Sequence, residues 1–424
     1  MTADVDASMT SRPLSVDGAV AELRTTAAIR ERAQQLLRRA RAEKSAWFIV
    51  DDDALPAAAN EVAEVTALRY PDLDIPFHSR WRHVEAGGVD RLAAAADRLP
   101  SDPAERARSL IDFVVVSVLL DAGAGADWRF TEPGTGLRFG RSEGLGVASW
   151  HAFLDGRFSS DPDKPLQVDG PALRASTAED LRAVFSVSDT NPLVGLDGRA
   201  QLLRRLGETM ITDPATFGRA ARPGHLYDAV LGVATGSGGG HAAVSAHAVL
   251  SALLSSLSGI WLAGNDIDAV PLGDCWPSPV VRGAGRTDGW MPFHKLSQWL
   301  TYSMLEPFSD SGVQITGLDE LTGLPEYRNG GLLVDTGVLV LRDPDVCTRA
   351  WEVSAELVVE WRALTVALLD ELAPLVRARL GVTEDRMPLA CVLEGGTWAA
   401  GRAVAARLRD GSPPLAIVSD GTVF

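Results

Sequence analysis

The sequence predicts a mainly α-helical protein with minor β-structure, and three observations lead to that prediction. Apolar residues recur at intervals of three and four along most of the chain, as they do on one face of an α-helix. Alternating apolar and polar runs, which indicate strands, are few. Internal repeats and the Rossmann, P-loop and nucleophile-elbow motifs, which would indicate other architectures, do not occur.

Length and composition indicate an ordinary globular protein of two or three domains, or of one large helical domain with insertions. The 424 residues are 46% hydrophobic and 23% charged, which is enough apolar material for a large core. We expect a disordered tail at 1–12, an N-terminal helical lobe at 13–230 and a C-terminal helical lobe at 231–424 that carries the site. The formal net charge of −16 argues against nucleic acid or an anionic membrane as the main partner. The oligomeric state is left open.

The cysteines and the N-terminus indicate a cytoplasmic protein. Cys275, Cys347 and Cys391 are far apart and odd in number, which fits a reducing compartment and offers no disulfide framework or thiolate metal site. The N-terminal MTADVDASMTSR contains acids and lacks the apolar segment of a signal peptide. Ser109–Leu120 is strongly apolar but too short to span a bilayer.

The stretch 290–335 holds the densest group of dissimilar functional side chains. A predicted helix, expected to end at Pro307, places four of them on one face: Lys295, Trp299, Tyr302 and Glu306. LTGLPEYRNGG then brings together a carboxylate, a phenol and a guanidinium, and a further acid follows: Glu326, Tyr327, Arg328 and Asp335. We interpret this stretch as the functional site; the alternative interpretation is a buried polar hinge.

Three other segments contribute candidate residues. Asp127 and Arg129 follow glycines at the end of an apolar segment, where they can serve a site or form a structural clamp. Asp274 and Trp276 lie in the turn LGDCWP just before the central stretch, and His294 lies within it.

A basic cluster at 78–83 contains Arg80 and Arg82 between two histidines. The histidines, His78 and His83, are five residues apart, whereas joint metal ligation from a helix requires three or four. We therefore predict no metal at this cluster. The arginines are expected either to recognise an anion or to fix the Pro-rich loop.

Seven words of the sequence together resemble the uracil catabolism protein 4 family. They are PDLDIPFHSRWRHVEAGGVDR, VSVLLDAGAGADWR, PLGDCW, PFHKLSQWLTYS, LTGLPEYRNGG, LEGGTWAAGR and VSDGTVF. The resemblance covers nearly the whole chain from about residue 20. It implies a role in the ring-opening route of pyrimidine breakdown, in which uracil is ribosylated and opened and finally yields urea, but it supplies no mechanism.

A second, local resemblance implies a mechanism. FHKLSQWL followed by LTGLPEYR is similar to the queuosine-salvage N-glycosidases, helical enzymes related in shape to DNA glycosylases. That similarity implies a DNA-glycosylase-like helical core and places the family's lysine and acid on Lys295 and Glu326. Two departures occur, since the acid is Glu rather than Asp and Asn329-Gly330 replaces the usual Val-Pro. Asp335 therefore competes with Glu326, because LPEYRNGGLLVDTGV echoes the glycosylase hairpin and its catalytic aspartate.

The chemistry expected from these residues is hydrolysis of an N-ribosidic bond. A carboxylate beside C1 stabilises an oxocarbenium-like sugar and deprotonates the attacking water. We assign catalytic roles to Glu326, Asp335, His294 and Asp127. We assign substrate binding to Lys295, Arg328, Tyr327, Trp299, Arg129, Asp274, Trp276 and Arg80.

The expected substrate is a small ribosylated urea, with or without a 5′-phosphate, and neither a metal nor an organic cofactor is required. Two alternatives stand beside this prediction. One is a C–N hydrolase acting on a ureido or amide bond of a ring-opened intermediate, which would usually need a metal or a cysteine nucleophile. The other is a non-catalytic partner of the pathway enzymes.

Overall fold

The computed structural model describes residues 15–233 and 242–418, and 57% of the chain is helical against 9% in strands. The predicted mainly α fold is therefore confirmed. The DNA-glycosylase-like core stays a prediction, and the predicted tail at 1–12 lies outside the described residues. Among the described residues, none of the helices combines the length and apolar character that a bilayer-spanning helix requires.

The α-helices are numbered here in chain order. They are α1 (Val16–Leu23), α2 (Thr26–Arg41), α3 (Leu55–Arg69), α4 (Trp81–Val84), α5 (Arg91–Ala94), α6 (Pro103–Leu119), α7 (Arg141–Leu154), α8 (Gly170–Ala175), α9 (Ala178–Val184), α10 (Leu196–Thr212), α11 (Pro214–Phe217), α12 (Leu226–Val233), α13 (Ala246–Leu257), α14 (Lys295–Asp310), α15 (Tyr327–Asp335), α16 (Glu356–Leu380), α17 (Leu389–Val392) and α18 (Trp398–Arg409). One π-helix, Leu393–Thr397, joins α17 to α18.

The strands are short and form two-stranded sheets throughout the described part of the chain. They are β1 (Phe48–Val50), β2 (Phe130–Thr131), β3 (Arg138–Phe139), β4 (Ala243–Ser245), β5 (Asp266–Ile267), β6 (Val270–Pro271), β7 (Cys275–Pro277), β8 (Trp290–Pro292), β9 (Gln314–Thr316), β10 (Leu339–Leu341), β11 (Ala350–Glu352) and β12 (Ala416–Val418). The β4–β9 and β11–β12 pairs are parallel, and the other four pairs are antiparallel.

The expectation that Pro307 ends its helix is wrong, because α14 continues to Asp310 with Pro307 inside it. Proline removes one backbone donor and normally disrupts the preceding turn. Here the carbonyl of Ser303, which would have accepted that donor, accepts the indole N–H of Trp81 at 2.9 Å. This substitute bond removes much of the cost of continuing the helix.

The described chain divides into two compact units, each built from separated segments. The first unit contains residues 15–78, 264–295 and 318–418. Its centre is α16, which is buried along most of its length and packs against α2 and α3. Trp361, Leu364 and Leu368 on α16 are essentially inaccessible to solvent.

The second unit contains residues 79–233, 242–263 and 296–317. Its core helix is α6, which begins with Asp102 as N-cap and Pro103 in the first turn, as helix starts commonly do. From Ser109 to Leu119 every residue of α6 is buried, and the helix packs against α7. The predicted short apolar segment is thus a core helix of a globular unit.

In the first unit, α15 and α18 approach each other closely at Gly401. A Cβ atom on Gly401 would overlap the backbone carbonyl of Arg328 in the first turn of α15. Backbone cannot swing aside as a flexible side chain can, so only glycine allows this spacing. The contact matters because α15 begins directly after Glu326.

We predict that Gly401→Ala destabilises the protein by about 1–3 kcal/mol, because an added methyl group must push the two helices apart. Thermal and urea unfolding followed by circular dichroism measure the change. Gly232→Ala is the matched control, since Gly232 lies in α12 and its Cβ would meet no described atom outside that helix within 4 Å. The control should be neutral or slightly stabilising. Equal unfolding curves for both variants would contradict the proposed close approach.

Candidate active site

The predicted site residues fall into both units. Those in the first unit are Asp274, Trp276, His294, Lys295, Glu326, Tyr327, Arg328 and Asp335, whereas Arg80, Asp127, Arg129 and Trp299 belong to the second. The two groups are described separately, beginning with the first.

Glu326 lies at the start of α15 and is the N-cap of that helix. Its carboxylate accepts the backbone N–H of Arg328 at 2.6 Å and that of Asn329 at 2.5 Å. Burial raises the pKa of Glu326, and these two N–H groups and the charge of Lys295 partly offset that effect. Glu326 is therefore a half-buried carboxylate stabilised by a helix N-terminus and by a nearby ammonium group.

Lys295 is the first residue of α14, and Asp274 fixes its backbone. The Asp274 carboxylate accepts the backbone N–H of Lys295 at 2.9 Å and the indole N–H of Trp276 at 2.7 Å. Lys295 lies close enough to Glu326 for the lysine charge to lower the pKa of the carboxylate, and the joint role of the two residues in a site stays a prediction.

A buried ion pair connects the Lys295 and Glu326 segments. Arg362 on α16 donates two hydrogen bonds of 2.8 Å to the Asp274 carboxylate, and its Nε contacts the carbonyl of Pro325 at 3.4 Å. Burial raises the pKa of Asp274, but the Arg362 guanidinium and the N–H groups of Trp276 and Lys295 together outweigh burial and hold that pKa at about 2. Asp274 is therefore an ionised structural anchor, and it is not a proton donor at neutral pH.

A second buried carboxylate, Glu394, lies on the π-helix and was not among the residues singled out from the sequence. Its Oε2 contacts Nδ1 of His78 at 2.9 Å, and its Oε1 accepts hydrogen bonds from Arg69 at 2.7 Å and from the Tyr70 hydroxyl at 3.1 Å. Burial raises the pKa of Glu394, but His78 and Arg69 outweigh burial and hold that pKa at about 2. Glu394 is ionised at neutral pH.

The Glu394–His78 contact determines which nitrogen of the imidazole carries the proton. A carboxylate on Nδ1 favours the tautomer with a proton there and leaves Nε2 as the basic nitrogen. His78 is buried, and its charged form lowers the pKa of Glu326. Four groups of the first unit thus form one cluster: Lys295, Glu326, His78 and Glu394.

Sequence reasoning missed the Glu394–His78 pair for a physical reason. The two residues are 316 positions apart, and only tertiary packing brings them together. A signal did exist in LEGGTW, because an acid before two glycines inside an apolar segment is unusual. The glycines prove necessary, since a Cβ on Gly396 would collide with Thr66 and with the Val62 carbonyl of α3.

Other predicted residues of the first unit have structural partners. Asp335 binds Arg409 through a buried carboxylate, and Arg328 donates to the Gly411 carbonyl at 3.0 Å while its guanidinium lies over the Tyr327 ring. These contacts tie α15 to the end of α18. They favour structural roles for Asp335 and Arg328.

His294 is buried in the left-handed backbone region, with φ of 49°. Its Nε2 contacts the Leu23 carbonyl at 2.9 Å, and burial lowers its pKa. Left-handed φ is uncommon outside glycine and requires support from the surrounding structure. This placement favours a neutral structural histidine over the predicted proton donor.

In the second unit, Arg80 and Trp299 lie together in the interior. The Arg80 guanidinium donates to the Ser117 hydroxyl at 2.7 Å, pairs with Asp121 at 3.2 Å and lies 5.6 Å from the Trp299 ring centroid. The Asp121 carboxylate already pairs with the Arg80 guanidinium. Of the two predicted roles for Arg80, this contact favours fixing the loop over recognising an anion.

Asp127 and Arg129 lie on an exposed loop of the second unit. The Arg129 guanidinium donates to the carbonyls of Ala126 and Trp128, both at 2.7 Å. These local bonds favour the clamp interpretation over the site interpretation. Within 15–233 and 242–418, no three His, Cys, Asp or Glu side chains are grouped so that they could hold a metal ion.

The chain is similar in sequence to one described family and to two fungal proteins. A family model described as "Protein of unknown function (DUF1688)" matches residues 22–424. Protein urg3 of Schizosaccharomyces pombe is 40% identical over 414 residues, which are 96% of this chain and 99% of that protein. Uracil catabolism protein 4 of Lachancea kluyveri is 40% identical over 379 residues, which are 82% of this chain and 85% of that protein.

We predict that Asp274→Asn destabilises the protein by about 3–5 kcal/mol at neutral pH, because Arg362 is left buried without its partner. The folded pKa of Asp274 is below its ordinary value, so its contribution is complete above about pH 4 and is lost as the pH falls toward 2. Unfolding experiments at pH 7, 5 and 3 measure this effect. The difference in the free energy of unfolding between variant and wild type should become smaller as the pH falls.

Asp370→Asn is the control for this prediction, because Asp370 pairs with Arg30 at 3.0 Å where both side chains are partly exposed. The free energy of unfolding of Asp370→Asn should fall by less than about 1 kcal/mol. A similar small loss for Asp274→Asn would mean that the buried pair is not the anchor described.

Proposed function

The chain belongs to the DUF1688 family, and on that premise we propose that it is an enzyme of uracil catabolism that hydrolyses an N-ribosidic bond. The name of the Lachancea kluyveri relative supports the pathway. One observation carries the reaction: a half-buried carboxylate, Glu326, lies at a helix N-terminus within electrostatic range of an ammonium group, Lys295, and of a carboxylate-bound imidazole, His78. The proposed substrate is ribosylurea or its 5′-phosphate.

Glu326 is proposed to act at C1 of the ribose. Cleavage of the N-ribosidic bond develops positive charge on the sugar, which an adjacent carboxylate stabilises. The same carboxylate can then orient and deprotonate the attacking water. The helix N-terminus holds both carboxylate oxygens, so the charge is positioned before the substrate arrives.

His78 is proposed to protonate the departing ureido nitrogen. Urea is a poor anionic leaving group, so proton donation to its nitrogen lowers the barrier to bond cleavage. Glu394 holds the Nδ1–H of the ring, so the proton given to the ureido nitrogen is the Nε2 proton of the imidazolium form, and the ring is left as the neutral Nδ1–H tautomer. His78 takes over the role that the sequence had suggested for His294.

Glu394 and Glu326 lie in different environments, which suit them to different roles. Glu394 has its pKa held at about 2 by His78 and Arg69, so it remains charged and orients the imidazole. Glu326 has its pKa raised by burial, so it exchanges protons more readily. Pairs of titratable groups whose pKa values are driven apart often divide acid, base and electrostatic roles in this way.

The alternative of a C–N hydrolase that uses a cysteine nucleophile receives no support from the described cysteines. Burial raises the pKa of the Cys391 thiol to about 12 and also raises that of Cys275. Nucleophilic cysteines instead have lowered pKa values. The site described here suits glycosidic cleavage better, because it offers a buried carboxylate and a carboxylate-bound imidazole.

We predict that Glu326→Gln lowers turnover about a hundredfold or more while KM changes little, because the amide keeps shape but removes the charge that opposes the oxocarbenium. Purified protein is mixed with ribosylurea or its 5′-phosphate, and urea and ribose are assayed together. Asp335→Asn is the comparison, since Asp335 binds Arg409, and it should remain active.

Release of ammonia and carbon dioxide in place of urea would indicate hydrolysis of a ureido C–N bond instead of the N-ribosidic bond. An inactive Asp335→Asn with an active Glu326→Gln would transfer the C1 role to Asp335. Binding of the substrate without turnover by the wild-type protein would favour the non-catalytic partner.

Lys295→Ala should chiefly raise KM, and more for the 5′-phosphate than for the bare riboside if the ammonium group holds the phosphate. Steady-state kinetics with both substrates make the comparison. An equal rise in KM for both would instead assign Lys295 to the ribose hydroxyls. A fall in kcat with KM unchanged would contradict a binding role.

A further inference from the structure

The Leu393–Thr397 π-helix is held by a single side chain from another helix. Arg69, the last residue of α3, donates Nη1 to the backbone carbonyl of Glu394 and to that of Gly395 at 3.1 Å. Its Nη2 donates to the Glu394 carboxylate at 2.7 Å. One guanidinium thus binds both the backbone and the side chain of the same turn.

A π-turn contains an extra residue and is rare in proteins, and where it occurs it is frequently at a functional site. Donors that satisfy carbonyls of the turn stabilise it. Gly395 and Gly396 let the turn lie directly on α3, where a side chain at Gly396 would collide with Thr66 and with the Val62 carbonyl. Arg69 and the glycines therefore act on the same helix contact.

The charge of Arg69 also matters for Glu394. That carboxylate is 6% exposed, and burial alone would favour its neutral form. The hydrogen bond with His78 and the charge of Arg69 lower the pKa of Glu394 and keep it ionised, and the Tyr70 hydroxyl adds a third donor. The Arg69 guanidinium lies 5.1 Å from the Tyr70 ring centroid, so the two neighbours support each other's position.

We infer that Arg69 is a positioning residue, which fixes the π-turn and keeps Glu394 charged so that Glu394 can orient His78. It acts through Glu394 and is not assigned to contact the substrate. This inference rests on the proposed function for its kinetic consequences, but its structural core concerns only Arg69, Glu394 and His78. A measurement that needs no substrate can therefore test it.

The first test is nuclear magnetic resonance of the full-length protein with ¹⁵N-labelled histidine, assigned through a His78→Gln variant. Wild type should show His78 with its proton on Nδ1. Arg69→Met should shift His78 toward a mixture of tautomers, because the neutral or displaced Glu394 no longer selects Nδ1. Arg69→Lys should restore part of the wild-type tautomer, since a lysine keeps the charge but lacks the fork.

The second test is the pH dependence of turnover with ribosylurea and its 5′-phosphate. Arg69→Met should lower kcat about 10–100-fold, as loss of an orienting partner does at metal-bound histidines. Removal of Arg69 raises the pKa of Glu394, so activity that needs the ionised carboxylate is lost at a higher pH. The acidic limb of the profile should move upward by about 1–3 pH units.

Arg377→Met is the matched control. Arg377 is a buried arginine of the same unit that donates to the Met387 carbonyl at 2.8 Å and pairs with Glu384 at 3.1 Å. The Arg377→Met variant should be less stable than wild type, but its His78 tautomer and the acidic limb of its pH–activity profile should be unchanged.

An unchanged His78 tautomer in a folded Arg69→Met protein overturns the inference. So does the same tautomer shift in Arg377→Met, because the effect would then reflect general loosening. If the wild-type protein releases no ribose, the proposed function fails, yet the tautomer measurement still decides the role of Arg69.

Discussion

The ion pair between Asp274 and Arg362 is the interaction on which the candidate site depends. The free-energy cost of removing this pair from water is large, since both charges are almost fully buried. Burying an ion is unfavourable unless its hydrogen-bonding capacity is met. Both Asp274 oxygens are engaged, by Arg362, by Trp276 and by the backbone of Lys295. A hydrophobic substitute could fill the space, but it could not define where α14 begins.

Around that pair, the site combines groups that are fixed with groups that can change charge. Asp274 and Glu394 are both held ionised by cations, and each orients a neighbour, the Lys295 backbone in one case and the His78 ring in the other. Glu326 differs because burial outweighs its stabilising partners. A site with two fixed anions and one labile carboxylate suits a reaction in which a single position must first oppose positive charge and then accept a proton.

The sequence revealed the helical character of the chain, because helical periodicity is a local pattern. A motif resemblance pointed to Lys295 and Glu326 together, and their role as a site stays a prediction. The sequence could not reveal the partner of His78, since Glu394 reaches that histidine only through the packing of the π-turn on α3. Residue type alone also suggested His294 as an acid. Its left-handed backbone and its contact with the Leu23 carbonyl are tertiary features that no spacing encodes.

The interleaving of the two units has a consequence for how the chain must be made. Within the described residues the polypeptide passes from one unit to the other after residues 78, 263, 295 and 317. On a ribosome, His78 emerges long before Glu394, so the N-terminal segment of the first unit must wait for most of the chain to be synthesised. Domains that are contiguous in sequence can fold during translation, but this unit cannot be completed until its last segment is released. We therefore expect neither unit to be obtainable as a simple fragment, and a premature stop anywhere before α18 would leave α3 with its partner surface exposed.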